Sequence, residues 1–592
     1  MILSRALLFC CVSGICFGAP AFNKDVAPIL FQNCANCHRP GQSAPFSLLS
    51  YADAAKRARQ IADLTRARVM PPWLPDPAYA HFEGERILSR EQVQTLSDWA
   101  AAGAPEGNPA DLPALPAFSD GWTLGKPDLV VQTPIFNVPA QGRDVYRNFV
   151  VPVPVATTQY VAAVEFDPGN RTVAHHAFIR LDRTRNSRDL DARDPEPGFD
   201  GMDTPPAALS PDGHFLSWQP GKRFSRNPDG LSWRLYPKSD VVLQLHMQPS
   251  GKPETIQSSI AFYFTDQPPA RFPLKLALSS YNIDIPAGET NYVVSDSFTL
   301  PVDLDVLGVL PHAHYLGKDL QGYVRLPNGE TNWLIRIPDW NFNWQGDYRF
   351  QAPVFAPRGS VLTMRFSYDN STNNPRNPHN PPTTVRYGVQ TVDEMAELWL
   401  QVLPRKPEDL EALRRANERK IYNDGIAYAE YRLRLNPNDA KAHVKYGQAL
   451  LATGRAREAI GRFEKAVAAD ATYDEPHYYL GVIARANHRN DIAIREFTEA
   501  ARLNPHHARA FGNLGLVHFE EGRAEDAERA FLRAIELDEN DAIARDMLGV
   551  IFLRKGKLDQ AEKHLRAAAR LAPDDAEVKA HLKILENARA AR

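Results

Sequence analysis

Two histidine pairs, a lone histidine, a methionine and a cysteine pair carry the most reactive chemistry in this 592-residue chain. His312 and His314 stand two apart after the apolar run Val306 to Leu310. In a strand, residues i and i+2 leave the same face, so both imidazoles can reach one point. His175 and His176 are adjacent within Thr172 to Ile179. Neighbours in a regular strand face opposite ways, so their use on one metal needs a bulge or different ring nitrogens. His246 follows the apolar run Val241 to Leu245, and Met395 follows Asp393 and Glu394. Three imidazoles suit zinc or copper, and a thioether favours copper(I). Taken singly, each histidine also reads as a residue satisfied by its surroundings, and Met395 as core filling.

The cysteine pair lies in Cys34-Ala35-Asn36-Cys37-His38, the spacing for covalent attachment of haem c. Two thiols one helical turn apart add to the porphyrin vinyl groups and carry His38 to the iron. A thioredoxin-like redox pair is the competing reading, but no βαβ pattern surrounds it. Apolar spacing predicts helices over Val26 to Phe31, Tyr51 to Val69 and Arg90 to Ala102, the last with Trp99 on its apolar face. Met70, fixed by Pro71 and Pro72, is placed as the sixth iron ligand, with His81 as its rival. Residues 20–112 look like a small all-α class I cytochrome c domain.

The elements around these groups divide the chain. Residues 1–18 have one arginine, Arg5, an apolar core and small residues at the end, the layout of a secretory signal peptide. Cys10, Cys11 and Cys16 fall inside it, which leaves Cys34 and Cys37 as the only other cysteines and no disulfide framework. Residues 113–127 read as a linker. From 128 to 404, short alternating runs such as Tyr146 to Val153, Gln159 to Val164 and Val361 to Tyr368 predict β-sandwich architecture with room for two domains. The formal charge of −3 gives no ground for nucleic-acid binding.

From 436 the chain repeats every 34 residues: Gly447, Gly481, Gly515 and Gly549; Ala459, Ala493, Ala527 and Ala561; Phe463, Phe497 and Phe531, with Leu565 in the last copy. This is the tetratricopeptide period of paired antiparallel helices, an α-solenoid over 405–592 with four full repeats from about 440 to 575. Its concave surface offers a site for a protein or peptide partner. The dispersed histidines of this part read as surface or packing residues.

The order His175-His176, then Gln244-x-His246, then His312-x-His314 with a Leu316-Gly317-Lys318 tail, then Asp393-Glu394-Met395 resembles the copper type II, ascorbate-dependent monooxygenases. That is the family of peptidylglycine α-hydroxylating monooxygenase and dopamine β-monooxygenase. The resemblance covers roughly 128–404 and implies two tandem jelly-roll β-sandwiches, 128–267 and 268–404, with a solvent-filled cleft between them. It implies one copper on His175, His176 and His246 that stores and delivers an electron. A second copper, on His312, His314 and Met395, would bind oxygen and hydroxylate a C–H bond, and Gln244 would serve electron transfer and substrate contact. Each turnover would take two electrons, one from each of the two copper ions.

Peptide-amidating members hold the substrate carboxylate with an arginine two residues before the first histidine of His-x-His; here that position is Leu310. Glu397 and Trp399 replace an asparagine and a tyrosine. These departures disfavour a peptidyl-glycine substrate and point to a neutral or amine-bearing one. The expectation is an exported, periplasmic copper monooxygenase without a permanent membrane span, in which haem c supplies or relays electrons from an external donor. The competing reading is a non-enzymatic haem and copper electron-transfer or sensing protein docked by its repeats. A zinc hydrolase lacks a general base beside the histidines.

Overall fold

The computed structural model describes residues 18–590 apart from 43, 119, 120, 185, 202–204, 206, 223, 573 and 574. The leader expected over 1–18 therefore lies, except for Gly18, outside the described residues. Phe22–Val26 forms a wide helical turn that runs into the helix Ala27–Asn33, followed by helices Tyr51–Ala55, Ala58–Arg66 and Arg90–Ala101. They close around Trp99, Leu30 and Val26, all without exposure. Ser50 and Ser89 cap the second and fourth helices through their hydroxyls. The stretch expected as one helix from Tyr51 to Val69 is two, broken where Arg57 carries its guanidinium over Phe46.

The middle of the chain is β-rich, with curled antiparallel sheets. In its first half, the strand order Leu129–Gln132, Ser259–Thr265, Gln159–Asp167, Trp233–Leu235 makes one sheet. The other places Val145–Pro152, Asp240–Met247 and Ala174–Asp182 side by side. The two share a core of alternate residues, including Val161, Phe262, Ile179 and Leu243. The second half repeats the plan. Leu274–Ser279, Glu397–Pro404, Leu304–His312 and Tyr348–Ala356 form one sheet, and Tyr292–Thr299, Val361–Tyr368, Gly317–Arg325 and Thr331–Ile337 the other. The expected linker is clipped to the first half, where Thr123 hydrogen-bonds the buried carboxylate of Glu165.

The helical unit is not a free appendage. Its segment after Met70 leaves the helices and joins the second β half: Phe82, unexposed, lies in that half's core and packs on Tyr348 and Phe350. Backbone bonds from Asp76 to Arg336, Glu83 to Arg349 and Gln351 to His81 tie the same segment down.

At the other end, helix Leu410–Leu435 is held to the second β half by Lys420 on Asp296 at 2.6 Å and by the Tyr431 hydroxyl, which donates to the Tyr387 carbonyl. Among the described residues nine further helices follow from Ala440 to Ala590, four antiparallel pairs and a last single helix, Ala576–Ala590. The repeated glycines have a physical reason: a Cβ at Gly447, Gly481 or Gly515 would lie 2.5, 2.7 or 2.7 Å from ring atoms of Phe463, Phe497 or Phe531. Where Leu565 replaces the ring, Gly549 still leaves no room for one. Further along, Lys238 pairs with Glu539 at 2.9 Å, so the solenoid also touches the first β half.

Candidate functional site

His175, His176 and His246 converge. Their Nδ1 atoms are 3.1, 3.2 and 3.3 Å apart, a nearly equilateral triangle whose centre lies about 1.8 Å from each nitrogen, close to a metal–imidazole bond of ~2.0 Å. The bulge that the adjacent pair needed is present: His246 pairs with His176 while Met247 pairs with Ala174, so His175 is the extra residue. Three neutral imidazole nitrogens, each either donor or acceptor, cannot satisfy all three sides of a triangle by hydrogen bonds; a cation at the centre satisfies them together.

The surroundings keep lone pairs pointed inward. His246 donates from Nε2 to Asp144 at 2.8 Å, and Tyr146 stacks on its ring at 4.2 Å. Burial and then the charge of His246 pull His175 down to about 4, and burial takes His176 well below its ordinary value. Burial works to raise the Asp144 carboxyl, but the hydrogen bonds from His246 and Gln248 outweigh it and hold it below the usual range.

The second pair is built differently. His312 and His314 present ring centres 5.2 Å apart and nearly perpendicular. His312 Nδ1 donates to Gln345 Oε1 at 2.7 Å and His314 Nδ1 to the Asp393 carbonyl at 3.1 Å, which leaves both Nε2 atoms with lone pairs for a ligand. Burial, then the neighbouring His312, brings His314 to about 3. Glu394 is fully buried and gathers the backbone N–H groups of His314, Leu316 and Met395, which places Met395 at the same corner. Burial pushes its carboxyl up to about 8. Met395 is itself buried, its carbonyl bound by the Tyr368 hydroxyl. Gln244 lies next to His246 on the same strand face and donates to Asn148.

The two groups face each other from the two β halves. Where the resemblance implies a solvent-filled cleft, the ring of Phe342, 2% exposed, stands between them, with centroids 5.3 Å from His175, 5.5 Å from His314 and 6.4 Å from His312. Leu310 lies opposite Trp399 in register, and His312 opposite Glu397.

In the helical unit, Cys34 and Cys37 are free thiols on the turn that leaves the first helix. Burial and the neighbouring Cys37 push the Cys34 thiol up to about 12. His38 Nδ1 donates to the Phe46 carbonyl at 3.2 Å, which frees Nε2 as a metal ligand. Met70 lines a cavity of about 590 Å³ walled also by Pro71, Trp73, Asp339, Trp344 and Arg376; Cys34, Cys37 and His38 are not among its lining residues. His81 is largely exposed and pairs with Glu85.

Asp144, Tyr146, Phe342 and Gln345 escaped sequence reading. Asp144 and Tyr146 sit next to His246 only through strand pairing, and Phe342 and Gln345 lie on a short turn with no periodic signal.

A tetratricopeptide-repeat family model matches residues 478–542 and 520–576. No curated protein matches the chain. Among solved structures, the crystal structure of MamA is 26% identical, covers 26% of this chain and 91% of its own, and has a TM-score of 0.24. YrrB, described as a TPR protein with an unusual peptide-binding site, is 24% identical, with 28% and 84% covered and a TM-score of 0.24. Scores this low carry no argument, and the repeat assignment rests on the family model and the glycine–phenylalanine packing. No helix among the described residues is long and apolar enough to cross a membrane.

Proposed function

We propose that this chain is an exported, periplasmic copper-dependent monooxygenase that hydroxylates a C–H bond with O2, with electrons supplied or relayed by haem c on Cys34, Cys37, His38 and Met70. The observation that carries the reading is the Nδ1 triangle of His175, His176 and His246. Bound copper supplies one-electron redox chemistry and oxygen activation, and haem c reversible storage of an electron.

The chain's own residues do the rest. Asp144 orients His246, while Gln345 and the Asp393 carbonyl fix the rings of His312 and His314 so that Nε2 is presented. Glu394 draws the His314 and Met395 backbones together, and Met395 adds a soft donor suited to copper(I). The two β halves are read as jelly-roll sandwiches. Fusion to the helical unit holds the donor at high effective concentration, and the repeats dock a protein or peptide partner.

The test is reoxidation of dithionite-reduced haem by O2, followed optically after metal analysis and EPR. One haem and two copper ions per chain are expected, with rapid reoxidation only in copper-loaded protein and slowed in Met395→Ala. Equal rates with and without copper overturn the reading.

A further inference from the structure

The face of Ala174–Asp182 that carries His176 continues through Phe178 to Arg180, while Ala177, Ile179 and Leu181 turn into the core. At strand spacing, Arg180 lies roughly 13 Å from His176 between Cα atoms. Its guanidinium is near Phe178, and its Nη1 atom is buried without a hydrogen-bond partner. Lys275, on the edge strand beside Glu397–Pro404, approaches from the second β half: its ammonium lies near Phe215, which precedes Leu216, whose carbonyl accepts from the Ile179 N–H. The Lys275 ammonium sits 3.8 Å over Trp399 and 5.9 Å from Phe215, the latter from the first half. Neither cation has an ion pair among the described residues.

Burial, then the charge of Arg180, lowers Lys275 to about 8, and only Glu397 opposes this. Burial alone lowers Arg180. Two half-buried cations with one neighbouring carboxylate leave a single positive charge beside the rings of Phe178, Phe215 and Trp399. Such a charge is costly unless something pairs with it. Glu397, which in sequence pointed to an amine, is outnumbered, and it is already engaged by Trp399 Nε1 at 3.0 Å.

We propose that Arg180 and Lys275 form an anion subsite that takes the carboxylate of an organic acid, with the acid's apolar body lying along Phe178, Phe215 and Trp399 toward the histidine groups. As a substrate site it rests on the copper reading above; as a binding site it does not. A monoanion matches the net charge of Arg180, Lys275 and Glu397 together, and a dianion would meet Glu397. The guanidinium supplies a planar fork and the ammonium a point charge.

The experiment is calorimetric titration of the metal-free full chain with phenylacetate, 4-phenylbutyrate, phenethylamine and inorganic phosphate. At least one carboxylate binds, and phenethylamine does not. Arg180→Gln and Lys275→Gln each weaken carboxylate binding tenfold or more, and Glu397→Gln tightens it. Without ligand, Arg180→Gln melts no lower than the parent, because it removes an unpaired buried charge; a structural arginine would show the opposite. Copper EPR of Arg180→Gln is unchanged, so loss of the subsite and loss of the metal reading are separable. The proposal is overturned if neither carboxylate binds, if the amine binds as tightly, if either cation variant leaves affinity unchanged, or if Arg180→Gln lowers the melting temperature by several degrees. Phosphate binding as tight as the carboxylate would mark an adventitious ion only and overturn it as well.

Discussion

Asp144→Asn isolates the outer partner of the histidine triangle. The carboxylate accepts from His246 Nε2 at 2.8 Å and is 26% exposed on its side chain, so the bond is partly shielded from water. It does two things: it fixes the tautomer that leaves Nδ1 as a lone pair, and it makes that lone pair more basic. Asparagine keeps the first by accepting through Oδ1 and loses the second with the charge. Outer partners of metal-bound histidines are worth 10–100-fold in affinity, which is about 1.4 to 2.7 kcal/mol. The partial exposure places Asp144→Asn near the lower end, about tenfold, and Asp144→Ala, which loses both effects, near the upper. Competition for copper(I) against a chromogenic chelator measures the loss, and EPR of the oxidised protein assigns it to a site. Unchanged affinity in both variants, or loss confined to the His312, His314 and Met395 group, would refute the reasoning.

Two further predictions concern the scaffold. Gly481→Ala drives a methyl into Phe497, and overpacking of this kind costs about 1–3 kcal/mol, partly offset by alanine's better helix propensity. The helical melting transition seen by far-UV circular dichroism therefore moves down; an unchanged or raised transition contradicts the packing account. His214 is buried, and burial with the nearby charge of Arg349 lowers it to about 4, against 6.5 when unfolded. Between those values the unfolded chain binds the extra proton, so this contribution to stability is complete above pH 6.5 and is lost as pH falls toward 4, by up to about 3 kcal/mol. His214→Asn should flatten the acid limb of urea-denaturation midpoints against pH; an unaltered limb counts against it.

Much of the scaffold was legible in the chain because its cause is local. The 34-residue period exposes a contact between residues sixteen apart, such as Gly447 and Phe463, repeated until chance is excluded. The run Val361 to Tyr368 is a strand with the same ends. His312 ends the strand Leu304–His312 and His314 lies two residues past it, held by Glu394 and the Asp393 carbonyl, so the strand period found the pair without fixing its geometry. His175 and His176 were harder: adjacency argued against a shared site until the register slip between His246 and Met247 supplied the bulge, and no residue type announces that slip. Asp144 lies 102 residues from the histidine it serves, and Arg180 and Lys275 belong to strands of different sheets. Such partners are products of tertiary closure, invisible to periodicity.

The insertion of Phe82 into the second β half makes the chain less modular than its domain order implies. Excising the helical unit would strip Tyr348 and Phe350 of their aromatic neighbour and leave a hole where a phenylalanine ring had been. A gap of that kind costs about 3–5 kcal/mol. The amino-terminal unit thus serves as a keystone for its neighbour. Shuffling it onto another protein, or deleting it by a simple truncation, would require the β half to be repacked first.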